Sequence, residues 1–151
     1  MTGIDQRTRR EFLELTIAAL GPLLIGQGCG EDSGDAAGVA NRYADLELPP
    51  TRVPLPKILA AYFRGVSSEH VRAIGAFAAS AKAAEPARGL GEAWSETVHA
   101  VSEAESVEAA VARLDARVVQ DFESGKIESL AGWQLARTEL HLCSLSYILQ
   151  V

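Results

Sequence analysis

Apolar residues recur at helical spacing along most of the chain from residue 57 onward. Their period predicts four amphipathic helices followed by one helix that is apolar on most sides. Before that last helix, residues 127–130 and 133–135 lie on either side of Ala131-Gly132, a pattern typical of a small β-hairpin. We therefore expect an all-α fold, a small bundle of about five helices with a minor hairpin before the last one. The predicted helices are 57–64, 68–84, 90–102, 107–124 and 139–149.

Residues that cap or break helices mark the predicted ends. Gly65 ends the first helix, Pro86 closes the second, and Ser106 caps the fourth, which Gly125 ends. Thr138 is the expected cap of the last helix, which we place at the centre of the core. The fourth helix has the clearest apolar face, which consists of Val107, Ala110, Val111, Leu114, Val118 and Phe122.

Composition favours one compact helical domain. The chain has 151 residues, 48% of them apolar and only 6% aromatic, which suits helices packed through small side chains. Residues 46–56 carry four of the six prolines and predict an extended segment that lies over the domain. The net charge is −6 and no window after Arg10 concentrates basic residues, so we expect no nucleic-acid partner.

The N-terminal apolar run, residues 15–25, is unlike both a core helix and a membrane span. Gly21-Pro22 interrupts it, and proline breaks a helix interior. It is also shorter than the roughly 20 apolar residues that cross a bilayer. An export signal satisfies both observations.

The segment TRREFLEL resembles the signature of twin-arginine signal peptides. Thr8, Arg9, Arg10, Phe12 and Leu13 match that signature, whereas Glu14 stands where lysine is usual. The resemblance implies recognition by the twin-arginine translocase and export across the bacterial cytoplasmic membrane to the periplasm or cell envelope. The other interpretation is a surface arginine pair in front of a core helix.

Cys29, in LLIGQGCG, resembles the cysteine of a bacterial lipoprotein cleavage box, with Gly26 where leucine is usual. Such a cysteine carries lipid and becomes the new N-terminus, so Cys29 would attach the protein to a membrane. The polar stretch GEDSGDAAG that begins just after it suits a tether. These interpretations divide the chain into a signal at 1–28, a tether at 29–45 and one helical domain at 46–151. Cleavage at a nearby small residue without lipid is the alternative.

Few other residues indicate chemistry. Cys143, the second of two cysteines, is expected to be a small apolar residue in a packed helix, although a disulfide with Cys29 stays open if Cys29 carries no lipid. Glu96 and His99 have the E-x-x-H spacing of di-iron bundles, but no second such pair exists, which favours a solvated helix face. Motifs for nucleotide, flavin, haem or zinc binding are absent from the sequence. We therefore expect no cofactor and no catalytic residue in this chain.

The export signal and the missing cofactor motif together favour a second protein that is exported with this chain. The twin-arginine route carries folded proteins, mainly those that load a cofactor before export. Residues 132–148, GWQLARTELHLCSLSYI, resemble the C-terminal segment of the small subunit of FAD-dependent sugar and polyol dehydrogenases, whose catalytic subunit is a GMC-type flavoprotein. The resemblance implies a non-catalytic accessory subunit that is needed for maturation and export of a larger flavoprotein.

Large aromatic residues are the candidate contacts with such a partner, because they dominate interface energetics. They are Trp94, Trp133 and Tyr147. Two other functions stay open. One is a stand-alone envelope lipoprotein with a binding or structural role, and the other is a metal-dependent enzyme that uses Glu96 and His99.

Overall fold

The structure, a computed structural model, describes residues 47–81, 87–130 and 133–151. Five helices and one two-stranded antiparallel hairpin form this part of the chain, with 68% of its residues in helices. The predicted fold class is therefore confirmed. In chain order the elements are α1 (Leu55–Tyr62), α2 (Ser68–Ala81), α3 (Ala87–Ser102), α4 (Val107–Glu123), β1 (Ile127–Leu130), β2 (Trp133–Ala136) and α5 (Arg137–Leu149).

Prolines determine where α1 begins. Pro54 is its N-cap residue, and Pro56 lies in the first turn, where the missing backbone N–H of proline costs no helical hydrogen bond. For this reason α1 begins two residues before the predicted start at Lys57. The preceding segment packs onto the domain as expected. Leu48 and Val53 contact the core, and the backbone N–H of Arg52 donates to the carbonyl of Ser102 over 3.0 Å.

The hairpin matches the predicted strands, and its end defines the start of α5. Ile127 pairs with Ala136 and Leu130 with Trp133. The prediction that Thr138 caps α5 is wrong, because the helix begins at Arg137 and Ala136 is its N-cap residue. Alanine has no acceptor side chain. Glu139 instead accepts a hydrogen bond from the backbone N–H of Ala136 at 3.0 Å, which is half of a capping box.

Helix α5 lies at the centre of the core, as its apolar composition predicts. It packs against each of the other four helices, most extensively against α2. Residues 140–146 are all buried. They contribute to two clusters, one shared mainly with α1, α3 and α4 and the other with α2 and the hairpin. The domain is therefore organised around one central helix.

The buried face of α4 differs from its prediction at one end. Ala110, Leu114 and Val118 are buried, but the face then continues to Asp121 instead of Phe122. Phe122 is 42% exposed, so its predicted place in the core is wrong. Successive helical residues are rotated by about 100°. A helix that turns Asp121 inward therefore directs Phe122 toward solvent.

Helices α2 and α5 lie very close together at Gly75. A Cβ atom built on Gly75 would lie 2.8 Å from Cβ of Tyr147 and closer still to the backbone carbonyl oxygen of Cys143. Since backbone atoms of a packed helix cannot rotate away, only glycine fits at this position.

Substituting Gly75→Ala should therefore separate the two helices and lower the free energy of unfolding by about 3 kcal/mol. Urea denaturation followed by circular dichroism measures the change. Arg72→Ala, at an exposed position of α2, serves as the control and should change stability by less than about 0.5 kcal/mol. Alanine normally stabilises a helix by roughly 1 kcal/mol relative to glycine. A more stable Gly75→Ala variant would contradict the close crossing.

Candidate functional site

The residues of the predicted export signal lie outside the described part of the chain. They are Arg9, Arg10, Phe12 and Leu13, and the predicted lipid attachment site Cys29 lies outside it as well. The signal, the lipid and the boundaries at residues 28 and 45 therefore stay predictions. Among the helices that the structure describes, none has the length and apolar character needed to cross a membrane.

The three predicted partner contacts have different surroundings. Trp94 on α3 is completely buried in the core cluster, so it presents no surface to a partner and contributes to packing instead. Tyr147 on α5 is half-buried and packs against the same cluster, with part of its side chain accessible. Trp133 begins β2, and its side chain is outside the described part of the structure. Of the three candidates, Tyr147 is therefore the one with an accessible side chain that the structure describes.

Glu96 and His99 lie on the exposed side of α3. The Glu96 carboxylate is 3.6 Å from the Arg117 guanidinium of α4, and the Glu96 side chain is 76% exposed. A surface ion pair of this kind stabilises a protein by at most about 1 kcal/mol. Within the described residues, no group of three His, Cys, Asp or Glu side chains could hold a metal ion.

Cys143 is buried in the second core cluster, as the sequence predicts. Burial, together with the negative charge of Glu139, raises the pKa of the Cys143 thiol well above its ordinary value. The thiolate is the nucleophilic and metal-binding form of cysteine. Cys143 therefore stays a protonated thiol at neutral pH and packs as a small apolar side chain.

A buried hydrogen bond between Thr97 and His141 joins α3 to α5. Thr97 Oγ1 lies 3.1 Å from Nδ1 of His141 and 3.2 Å from the carbonyl oxygen of Ala93, one turn earlier in α3. The hydroxyl has one proton. When the hydroxyl donates that proton to the carbonyl oxygen of Ala93, the Nδ1–H group of His141 must donate to the Thr97 oxygen. This arrangement specifies the tautomer of His141. The sequence signal for this pair is a histidine in the helix that is predicted to be apolar on most sides.

Asp121 makes a second buried polar contact between helices. One carboxylate oxygen of this α4 residue accepts a hydrogen bond from the backbone N–H of Thr138 at 2.8 Å. Thr138 lies in the first turn of α5, where backbone N–H groups have no partner within the helix. The negative charge also interacts favourably with the positive end of the helix dipole. Asp121 thus supplies from α4 the acceptor that Ala136 lacks.

The backbone carbonyl of Asp121 has a role as well. It accepts the N–H of Lys126 at 2.8 Å, just before β1 begins. One residue therefore holds the end of α4, the entry to the hairpin and the start of α5 together. Its signal in the sequence is an aspartate three positions after Val118, on the apolar side of α4.

Comparisons with protein-family models, with curated proteins and with solved structures find no match to this chain. The similarity of residues 132–148 to dehydrogenase small subunits therefore stays an expectation from the sequence. In the structure this segment comprises β2 and most of α5. Three buried polar side chains of the domain, Thr97, His141 and Asp121, form hydrogen bonds that connect helices and helix ends.

Replacing Asp121 with alanine should leave the Thr138 N–H buried without its acceptor. We expect a loss of about 1–3 kcal/mol in the free energy of unfolding, measured by urea denaturation. Asp121→Asn keeps an acceptor oxygen and should lose less. Glu123→Ala, at an exposed position of the same helix, should change stability by less than about 0.5 kcal/mol. Equal losses in Asp121→Ala and Glu123→Ala would rule out the contact as a cap.

Proposed function

We propose that this chain is a non-catalytic accessory subunit that escorts a larger, exported flavin-dependent sugar or alcohol dehydrogenase. The observation that carries the proposal is the segment TRREFL, residues 8–13, ahead of a short apolar run and a helical domain. The twin-arginine translocase moves folded proteins, so a second protein bound to this domain can travel with it. The signal of one subunit then serves both.

The resemblance of residues 132–148 supports the same function. In that segment, residues 140–146 are buried in this chain's own core, so their apolar side chains serve its own folding. Among the side chains of the segment that the structure describes, we expect contact with the flavoprotein from the half-buried Tyr147 and the exposed Arg137, and Trp133 stays a candidate. In this proposal the flavin and the catalytic residues belong to the larger subunit.

Cys29 favours a second candidate function, a stand-alone envelope lipoprotein with a binding or structural role. The cysteine follows a short apolar run and precedes the polar stretch GEDSGDAAG. A lipid on Cys29 is compatible with both candidates, since it would hold either a complex or a single subunit at the membrane. The presence of a partner distinguishes the two functions.

Changing Arg9-Arg10 to Lys-Lys tests the escort function directly. In cells that express the chain with its neighbouring genes, affinity purification from the envelope should recover a flavoprotein that has no signal of its own. The Lys-Lys variant should leave both proteins in the cytoplasm, because the twin-arginine translocase requires the arginine pair. Immunoblots of periplasmic and cytoplasmic fractions measure the distribution, and Arg7→Lys is the matched control. Recovery of the exported chain alone would contradict the escort function, and unchanged export of the variant would reject the signal.

Replacing Cys29 with alanine tests the lipid anchor. If Cys29 is acylated, the wild-type chain partitions with membranes and the variant is recovered in the soluble envelope fraction. Cys143→Ala is the matched control, and because Cys143 is buried in the core, this variant should stay at the membrane. A Cys29→Ala variant that still fractionates with membranes would show that another group attaches the protein.

A further inference from the structure

Helix α4 exposes apolar side chains on the side that faces away from the core. Val119 is 45% exposed and Phe122 is 42% exposed, and the two lie one helical turn apart. Ala112 and Ala116 are exposed on the same side, toward the start of the helix. Adjacent apolar side chains in water favour a state in which another surface covers them.

The spacing on this outer face is that of a helix that pairs with another helix. Ala112, Ala116 and Val119 follow one another in steps of four and three residues, whereas Ala109, one step earlier, is partly buried against the core. This alternation places Ala112, Ala116 and Val119 in one seam, as at the a and d positions of a coiled coil. The buried residues Ala110, Leu114 and Val118 form a separate seam toward the core. Helix α4 thus has two apolar seams, of which the core covers one.

The charges beside the outer seam indicate what covers it. Glu108 and Asp115 lie along one edge, and Arg113 and Gln120 lie along the other. In a parallel pair of such helices, each residue on the edge with Glu108 and Asp115 faces a residue on the other edge of the partner helix. The facing residue lies five positions later in the sequence. Glu108 then faces Arg113 of the partner subunit, and Asp115 faces Gln120 of the partner subunit. In an antiparallel pair the acidic edges would face each other and repel.

The two charges that would pair are accessible. Glu108 and Arg113 are exposed, and neither forms an ion pair with another residue in the described part of the chain. Within one helix they are five positions apart, a spacing that places them on different sides of it. Their complementarity is thus satisfied between two copies and not within one.

We propose that the outer face of α4 binds the same face of a second copy of this chain, with the two helices parallel about a twofold axis. Val119 packs against Val119 of the partner subunit, and Phe122 covers the end of the seam. The seam is short and consists of two alanines and one valine, so the association is of the weak, transient class of interfaces.

Sedimentation equilibrium of the full chain, from about 10 µM to about 1 mM, tests the proposal. We expect the average mass to rise from one chain toward two over this range. Val119→Glu places charge in the seam and should weaken the association at least about tenfold. Phe77→Glu is the matched control, because Phe77 on α2 is also 45% exposed but lies outside the seam, and it should leave the association unchanged.

Charge reversal tests the parallel geometry. Arg113→Glu should weaken the association, because Glu108 would then face a like charge, and the double variant Glu108→Arg with Arg113→Glu should restore it. Glu108 lies in the first turn of α4, so thermal melting must show that each variant folds. If the average mass equals that of a single chain at every concentration, the proposal is overturned, and a different protein would be the partner that covers this face. Association that responds to neither Val119→Glu nor Arg113→Glu would overturn it too, and would indicate contact elsewhere, such as the N-terminal apolar run.

Discussion

The close crossing of α2 and α5 at Gly75 is the constraint on which the rest of the domain depends. Because Gly75 has no side chain, α2 approaches the backbone of α5 directly at Cys143 and the Cβ atom of Tyr147. Helix α5 in turn contacts the other three helices. Any displacement at the crossing would therefore be transmitted to α1, α3 and α4. Close packing through glycine and alanine thus takes the place of the large aromatic side chains that this chain has in small number.

Buried polar contacts determine how the helices are rotated within this packing. The Thr97–His141 hydrogen bond aligns α3 with α5, and the Asp121–Thr138 hydrogen bond aligns α4 with the start of α5. Apolar contacts alone tolerate small rotations, whereas a buried donor without its acceptor costs free energy. The inward position of Asp121 has a result at the surface, because it leaves Phe122 facing solvent. The buried polar contacts and the outer face of α4 are consequently linked.

Local signals in the sequence were sufficient for most of the fold. Apolar periodicity identified five helices, and Ser106 caps α4 as predicted, with the Ala109 N–H donating to its hydroxyl at 3.1 Å. The hairpin around Ala131-Gly132 was predicted as well. Thr138 failed as a cap because the helix begins one residue before it, and the acceptor of its backbone N–H, Asp121, lies 17 residues away and meets it only in the folded chain. The sequence did not reveal the full burial of Trp94 for a similar reason, since that burial requires several helices together. The residues proposed for export and lipid attachment depend on short motifs, which no periodicity or packing in the described residues can test.

The central position of α5 also affects the order in which the domain can form. Helix α5 follows the other four helices that the structure describes, yet all four pack against it. During synthesis the four preceding helices lack the α5 surface, against which each of them buries part of its apolar face, and short isolated helices are marginally stable in water. The core is therefore completed only after α5 has left the ribosome. Every segment that precedes α5 in the chain is thus synthesised before the domain can be fully folded.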